Sequence, residues 1–243
     1  MKFSKKTLEV LSNFSKIENS LMFNPEGKGI LSAAEKESKG VCAFYDLPED
    51  EKSIPTIPIY DVSNFLVVLN EVVGNSDYKV EFQEKFMIVS TSTSRLKFHF
   101  ASEEMIPKPL TKLTVDVAKE IKVRFQLTWA NFQKLLKIST ALGYTYFKIE
   151  NKTNKILITV YDPKDPTTNT FQLFIGNNET EYEDFSIVVH RDELKMMDGD
   201  YQVEIWPGKM IVFRSMEDLK TETGIQKKET GLVYYVAPVK EKK

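Results

Sequence analysis

The sequence predicts an α+β protein of two similar domains, each with two helices packed on antiparallel sheets. Three observations carry this expectation: an internal repeat, an order of helix, strands, helix, strands that occurs twice, and a proline-bearing stretch between the halves. The repeat matches Asp77-Tyr78-Lys79-Val80-Glu81 to Asp200-Tyr201-Gln202-Val203-Glu204, and Met87-Ile88-Val89 to Met210-Ile211-Val212. Both matches lie 123 positions apart, from 77 to 200 and from 87 to 210. Two matches in one register are hard to obtain by chance and mark a duplicated unit.

Taken in chain order, residues Phe3 to Ile17 place Leu8, Leu11 and Phe14 at helical spacing. Strand-like runs follow at Ser20 to Phe23, Gly29 to Ala33 and Val41 to Tyr45. An apolar helix is expected over Asp61 to Val73. The first repeat copy then reads as a β-hairpin, alternating in polarity on either side of a turn at Gln83 to Lys85. In Arg95 to Ala101, Leu96, Phe98 and Phe100 fall on one face of a strand and Arg95, Lys97 and His99 on the other. The stretch Ser102 to Glu120, with Pro107 and Pro109 and few apolar anchors, reads as extended. The expected organisation is therefore an N-terminal domain at 1–106, a connector at 107–120 and a C-terminal domain at 121–243. The second half repeats the order, with a helix over Thr128 to Leu142 that aligns Phe132, Leu135, Leu136 and Ser139. Strands follow at Tyr144 to Glu150, Lys155 to Tyr161 and Thr170 to Ile175. A second helix-like segment, Arg191 to Met197, precedes the second repeat copy, whose turn falls at Pro207 to Lys209.

The 243 residues are 42% hydrophobic, enough for packed cores. No apolar run approaches the roughly 20 residues of a membrane helix, and Met1 to Val10 lacks the apolar core of a signal peptide. A cytoplasmic setting without membrane contact is expected, which the lone Cys42 fits by excluding an internal disulfide. Cys42 itself reads as core filler. Neither His99 nor His190 stands at metal-ligand spacing, and no phosphate loop, dinucleotide fingerprint or zinc-protease motif is present. Asp162, Asp165, Glu179, Glu181, Glu183 and Asp184 lack a calcium-loop pattern and read as solvated loops. No enzyme, no cofactor and no metal site is expected.

Thirty-three basic against 35 acidic side chains give a formal charge of −2, so any contact with nucleic acid must be local. On the first helix, Lys5, Glu9, Ser12 and Lys16 fall opposite the apolar stripe, with Lys6 flanking it. On the third helix, Lys134 and Lys137 lie opposite Phe132, Leu135 and Leu136, and no acidic residue occurs between Thr128 and Leu142. Arg191 and Lys195 add charge to the fourth segment, whereas Asp61 to Val73 has no basic residue. Such faces fit either a weak phosphate-facing surface or an ordinary solvated helix.

Several strings resemble one family over essentially the whole chain. They are Met1-Lys2-Phe3-Ser4-Lys5, Ile59-Tyr60-Asp61-Val62-Ser63-Asn64-Phe65-Leu66, Leu135-Leu136-Lys137-Ile138-Ser139, and Lys195-Met196-Met197 running into Gly199-Asp200-Tyr201. They resemble the sliding clamps of T-even-type bacteriophages. The tail Tyr234-Tyr235-Val236-Ala237-Pro238 is similar to the end of the cellular clamp, proliferating cell nuclear antigen. The resemblance implies the DNA-clamp fold, a homotrimeric ring of six domains with helices lining the hole. It implies that Lys5, Lys6, Lys16, Lys134, Lys137, Arg191 and Lys195 meet the phosphates of double-stranded DNA. It further implies a replicative DNA polymerase and a clamp-loader ATPase as partners. Client peptides would dock near Ile106, Leu110, Tyr235, Ala237 and Pro238. Host-cell cytoplasm would be the setting. A second reading is a phage structural or interaction module with a duplicated α+β fold and no DNA role.

Overall fold

A computed structural model describes residues 1–35, 40–74, 76–110, 121–180, 182–221 and 224–239. The chain divides into two compact units, residues 1–37 with 42–112 and residues 38–41 with 113–243. Most of the expected connector, 111–120, lies outside the described residues.

The N-terminal unit runs α1 (Lys5–Phe14), β1 (Leu21–Phe23), β2 (Ile30–Ala34), β3 (Val41–Asp46), β4 (Ile57–Ile59), α2 (Val62–Val73), β5 (Lys79–Phe82), β6 (Phe86–Ser90) and β7 (Arg95–His99). Helix α1 begins where the Ser4 hydroxyl accepts the Thr7 amide at 3.1 Å, satisfying one of the helix's orphan donors. Beneath that cap the Glu51 carboxylate, only 1% exposed, accepts the Thr7 hydroxyl at 2.6 Å and the Ser4 amide. The helix buries Thr7, Val10, Leu11, Asn13 and Phe14. Leu8, expected in the stripe, is only half-buried, because Val10, one turn beyond the anchored Thr7, takes the core position. Helix α2 starts at the Asp61 cap, whose carboxylate accepts the Asn64 amide at 2.9 Å. It buries Val62, Phe65, Leu66 and Leu69. The Phe65 ring lies 4.9 Å from Phe98 on β7 and 6.2 Å from Phe3, which stands edge-on to Phe23 at 5.4 Å. Each such side chain contributes about 1.5–3 kcal/mol by leaving water. The side chain of Asn19 joins the two helices, donating to Asp61 at 3.0 Å and accepting the Ser63 amide at 2.9 Å.

Strands β5, β6 and β7 form an antiparallel meander, and the turn expected at Gln83 to Lys85 closes with Gln83 N donating to Phe86 O at 2.9 Å. Along β7, Arg95, Lys97 and His99 are exposed while Leu96 and Phe98 turn inward, as the alternation predicts. Cys42 on β3 is half-buried, and burial pushes its thiol up to about 11.

The C-terminal unit contains β8 (Val123–Leu127), α3 (Trp129–Leu142), β9 (Tyr146–Lys152), β10 (Lys155–Tyr161), β11 (Phe171–Asn177), β12 (Phe185–His190), β13 (Asp200–Trp206), β14 (Met210–Thr221) and β15 (Gly224–Val236). One antiparallel sheet has the order β11-β10-β9-β12, and β8, β13, β14 and β15 pair in the order β8-β13-β14-β15. The second repeat copy is the β13–β14 hairpin, turning at Pro207 to Lys209. Helix α3 ends at Gly143, whose φ of 73° is the left-handed conformation that glycine adopts without a Cβ clash.

The helix expected over Arg191 to Met197 is instead a single 3₁₀ turn, Arg191–Glu193. Only residues 191–199 separate β12 from β13, too short a span for a costly helix nucleus to be repaid. The Arg191 amide is also held by Thr145 O at 2.7 Å, and Leu194 departs from helical geometry at ψ 56°.

Glu204 is 5% exposed in the middle of β13, between Arg124 at 2.8 Å and Arg214 at 2.9 Å. Replacing it strands two guanidinium groups, of which Arg124 remains 41% exposed and stays partly hydrated. Glu204→Leu is therefore expected to lower unfolding stability by about 1–3 kcal/mol, read from the urea midpoint.

Candidate nucleic-acid interface and docking surfaces

In the N-terminal unit, Lys5 is an open side chain, 93% exposed, with Glu9 Oε1 at 3.9 Å one turn on. A pair so exposed is worth little and leaves the lysine available. Lys6 is half-buried on the flank of α1. Lys16 is exposed but lies beyond the last helical residue, in a turn closed by its own amide on Asn13 O at 3.0 Å.

In the C-terminal unit, Lys134 and Lys137 both project from α3 into solvent. Lys134 Nζ stands 5.7 Å from the centre of the Phe171 ring, close enough for a cation–π contact that steadies the side chain. The helix itself is positioned by two caps. The Thr128 hydroxyl accepts the Asn131 amide at 3.3 Å, and the Asp200 carboxylate accepts the Trp129 amide at 2.7 Å. Asp200 also binds Lys227 at 2.8 Å. The bond from Lys227, then that from Trp129, holds the Asp200 carboxyl below the usual aspartate range.

Arg191, on the 3₁₀ turn, reaches the core-facing side of α3 rather than its exposed stripe. Its guanidinium donates to the α3 hydroxyl of Ser139 at 3.4 Å and lies 3.6 Å from Asp192. Lys195 is half-buried in the segment after the 3₁₀ turn. Lys134 and Lys137 thus share the exposed face of α3, Arg191 bonds its buried Ser139, and Lys5, Lys6 and Lys16 belong to α1 and its trailing turn.

The expected docking residues differ sharply in accessibility. Ile106 is 6% exposed and Tyr235 8%, so both fill cores. Leu110 is 40% exposed, Ala237 is exposed and Pro238 half-buried. Ala237 extends β15 by one further bond, donating to Gly40 O at 2.7 Å. Within the N-terminal unit, an open cleft of about 450 Å³ is walled by Met22, Pro25, Glu103, Ile106 and Pro109. Beside it Met105 is 57% exposed, a residue the sequence did not single out because nothing in the Ser102 to Glu120 stretch marks which apolar side chains turn outward. Phe174, 53% exposed on the edge strand β11, was also missed. Alternation along Thr170 to Ile175 places it with Gln172 on the outer face, a signal present but unread.

The acidic loop residues act as turn acceptors: Asp162 for the Lys164 amide at 2.9 Å, Asp165 for Thr167 at 2.9 Å and Asp184 for Thr153 at 2.8 Å. Among the described residues, no group of three or more His, Cys, Asp or Glu side chains is disposed to hold a metal ion. Nor is any described helix long and apolar enough to cross a membrane.

Asp200 gives the α3 surface a pH signature. Its lowered folded value contributes stability that is present above the unfolded aspartate value of about 3.9 and is lost as pH falls through the folded one. Asp200→Asn is expected to remove that acid-range dependence from the unfolding curve, leaving a flatter profile below about pH 4.

Comparison with known proteins follows the same division of the chain. Residues 124–220 match the family model described as gp45 sliding clamp, C terminal. Over 211 residues the chain is 27% identical to the sliding clamp of Vibrio phage KVP40, a span of 85% of this chain and 91% of that protein. It is 25% identical to the sliding clamp of Escherichia phage RB69, over 85% and 87% of the two chains. Among solved structures, A. fulgidus PCNA bound to the C-terminal region of FEN-1 superposes with a TM-score of 0.66 at 13% identity, covering 97% of this chain and 96% of that one. That likeness establishes a shared α+β clamp fold.

Proposed function

We propose that this chain, a relative of the T-even-type phage sliding clamps, encircles duplex DNA and tethers the replicative polymerase to its template. The observation that carries the reading is the duplicated α+β fold, matched over nearly the whole length of named sliding clamps. The alternative, an interaction module without a DNA role, gains nothing from that kinship. The protein then works by topology rather than by chemistry. A closed ring cannot leave DNA without opening, so its phosphate contacts can be weak and screened, and weak contacts allow sliding. Lys5, Lys6, Lys16, Lys134, Lys137, Arg191 and Lys195 supply those contacts. The formal charge of −2 keeps the remaining surface from adhering to phosphate.

Three copies closing head to tail form the ring, through a heterologous interface in which the sheet edge at β7 of one copy meets the edge at β11 of the next. Phe174 on β11 is the apolar anchor of that contact. A ring that stays shut needs a separate machine to open it, a clamp-loader ATPase. Client peptides, the polymerase's among them, take accessible positions on each unit taken by itself: Leu110 and Met105 on the N-terminal one, Ala237 and Pro238 on the C-terminal one. Ile106 and Tyr235, each buried in its own unit, act through packing rather than by direct exposure. The setting is the cytoplasm of the phage's host.

Light scattering on the purified protein is expected to give a particle of three chains, and a monomer at micromolar concentration contradicts the ring. Phe174→Glu should dissociate that particle while leaving each chain folded by circular dichroism. Lys134→Glu with Lys137→Glu should shorten the products of the polymerase without changing the number of chains per particle. Full-length products from that double variant would remove α3 from the DNA path.

A further inference from the structure

The burial patterns of α1 and α3 put their exposed residues in correspondence. Thr7, Val10 and Phe14 face the core of one unit at the same spacing as Phe132, Leu135 and Ser139 in the other. The opposite stripes are then Lys5, Glu9, Ser12 and Lys16 on the first helix and its following turn, and Ala130, Lys134, Lys137 and Ala141 on the third. All eight residues are exposed. At the two central positions, where a rod crossing the helix makes its closest approach, Lys134 is matched by Glu9 and Lys137 by Ser12. The same structural position therefore carries opposite charge in the two halves. Glu9 also stands 3.9 Å from Lys5, lowering the positive potential around it without binding it firmly. Helix α2 does not restore the balance: its exposed residues are Ser63, Asn64, Val67, Asn70 and Glu71, none of them basic.

We infer that α3 supplies the larger part of each chain's phosphate grip and that Glu9 weakens the share from the N-terminal unit. This rests on the clamp reading above and deepens it: the duplicated fold offers two equivalent cationic helices, and one of them carries a carboxylate at its centre. Each chain then neutralises few phosphates, and the assembled ring stays mobile on DNA because the number of released counterions sets both affinity and salt dependence. Glu9 is a tuning residue, placed on the surface where it stabilises nothing in the core.

The test is a titration of the assembled protein with a short blunt duplex over a series of salt concentrations. The slope of log affinity against log salt loses about 0.9 for each phosphate contact removed. Lys134→Gln with Lys137→Gln should flatten that slope more than Lys5→Gln with Lys16→Gln. Glu9→Lys should steepen it and strengthen binding at low salt. Equal flattening by the two double variants, or an unchanged slope in Glu9→Lys, overturns the inference while leaving the clamp reading in place. Wild-type protein that neither binds duplex nor lengthens polymerase products overturns both.

Discussion

Each helix of this protein has one face to bury, and the burial of that face against the strands of its own unit decides everything on the opposite side. Val10, Leu11 and Phe14 in α1, and Phe132 and Leu135 in α3, are at most 2% exposed. The loss of any one of them removes apolar burial and leaves a cavity, a combined cost of about 2–5 kcal/mol. With those faces pinned, the lysines at 134 and 137 can only project into solvent, and the caps at Thr128 and Asp200 fix where along the helix they do so. The surface chemistry is thus a by-product of core packing, and it needs no buried polar device of its own.

That arrangement suits the proposed task of staying on DNA without holding it. Strong phosphate binding demands many cations and has a steep salt dependence. Here the chain is slightly acidic overall, the central stripe of α1 carries Glu9, and α2 has no cation. The buried carboxylates committed to ion pairs or caps, Glu51, Glu150 and Glu204, serve the fold rather than the surface. In the proposed ring, retention by enclosure would remove the need for affinity, and the modest charge would suit mobility.

Much of this was legible in the sequence because it is local. The repeat at Asp77 and Asp200, the turns at Gln83 and Pro207, and the capped helices at Asp61 and Thr128 each depend on neighbours a few residues away. What failed depended on tertiary context. Arg191 to Met197 has an apolar pattern compatible with a helix, but strand ends on both sides leave room for one 3₁₀ turn only. The burial of Ile106 and Tyr235, the candidates for flanking a peptide pocket, is likewise a property that no spacing along the chain reveals. β12 passed unread although Ile187 and Val189 alternate inward along it. The contrast between Glu9 and Lys134 was present as letters, but it gained meaning only when burial aligned the two helices.

Enclosure can be measured apart from affinity. The protein, once placed on covalently closed circular duplex, should remain associated through a wash at high salt and should leave within the same interval after the circle is cut once by a restriction enzyme. Release that is equally fast from the intact and the cut circle would contradict the account, since the complex would then rest on ordinary binding.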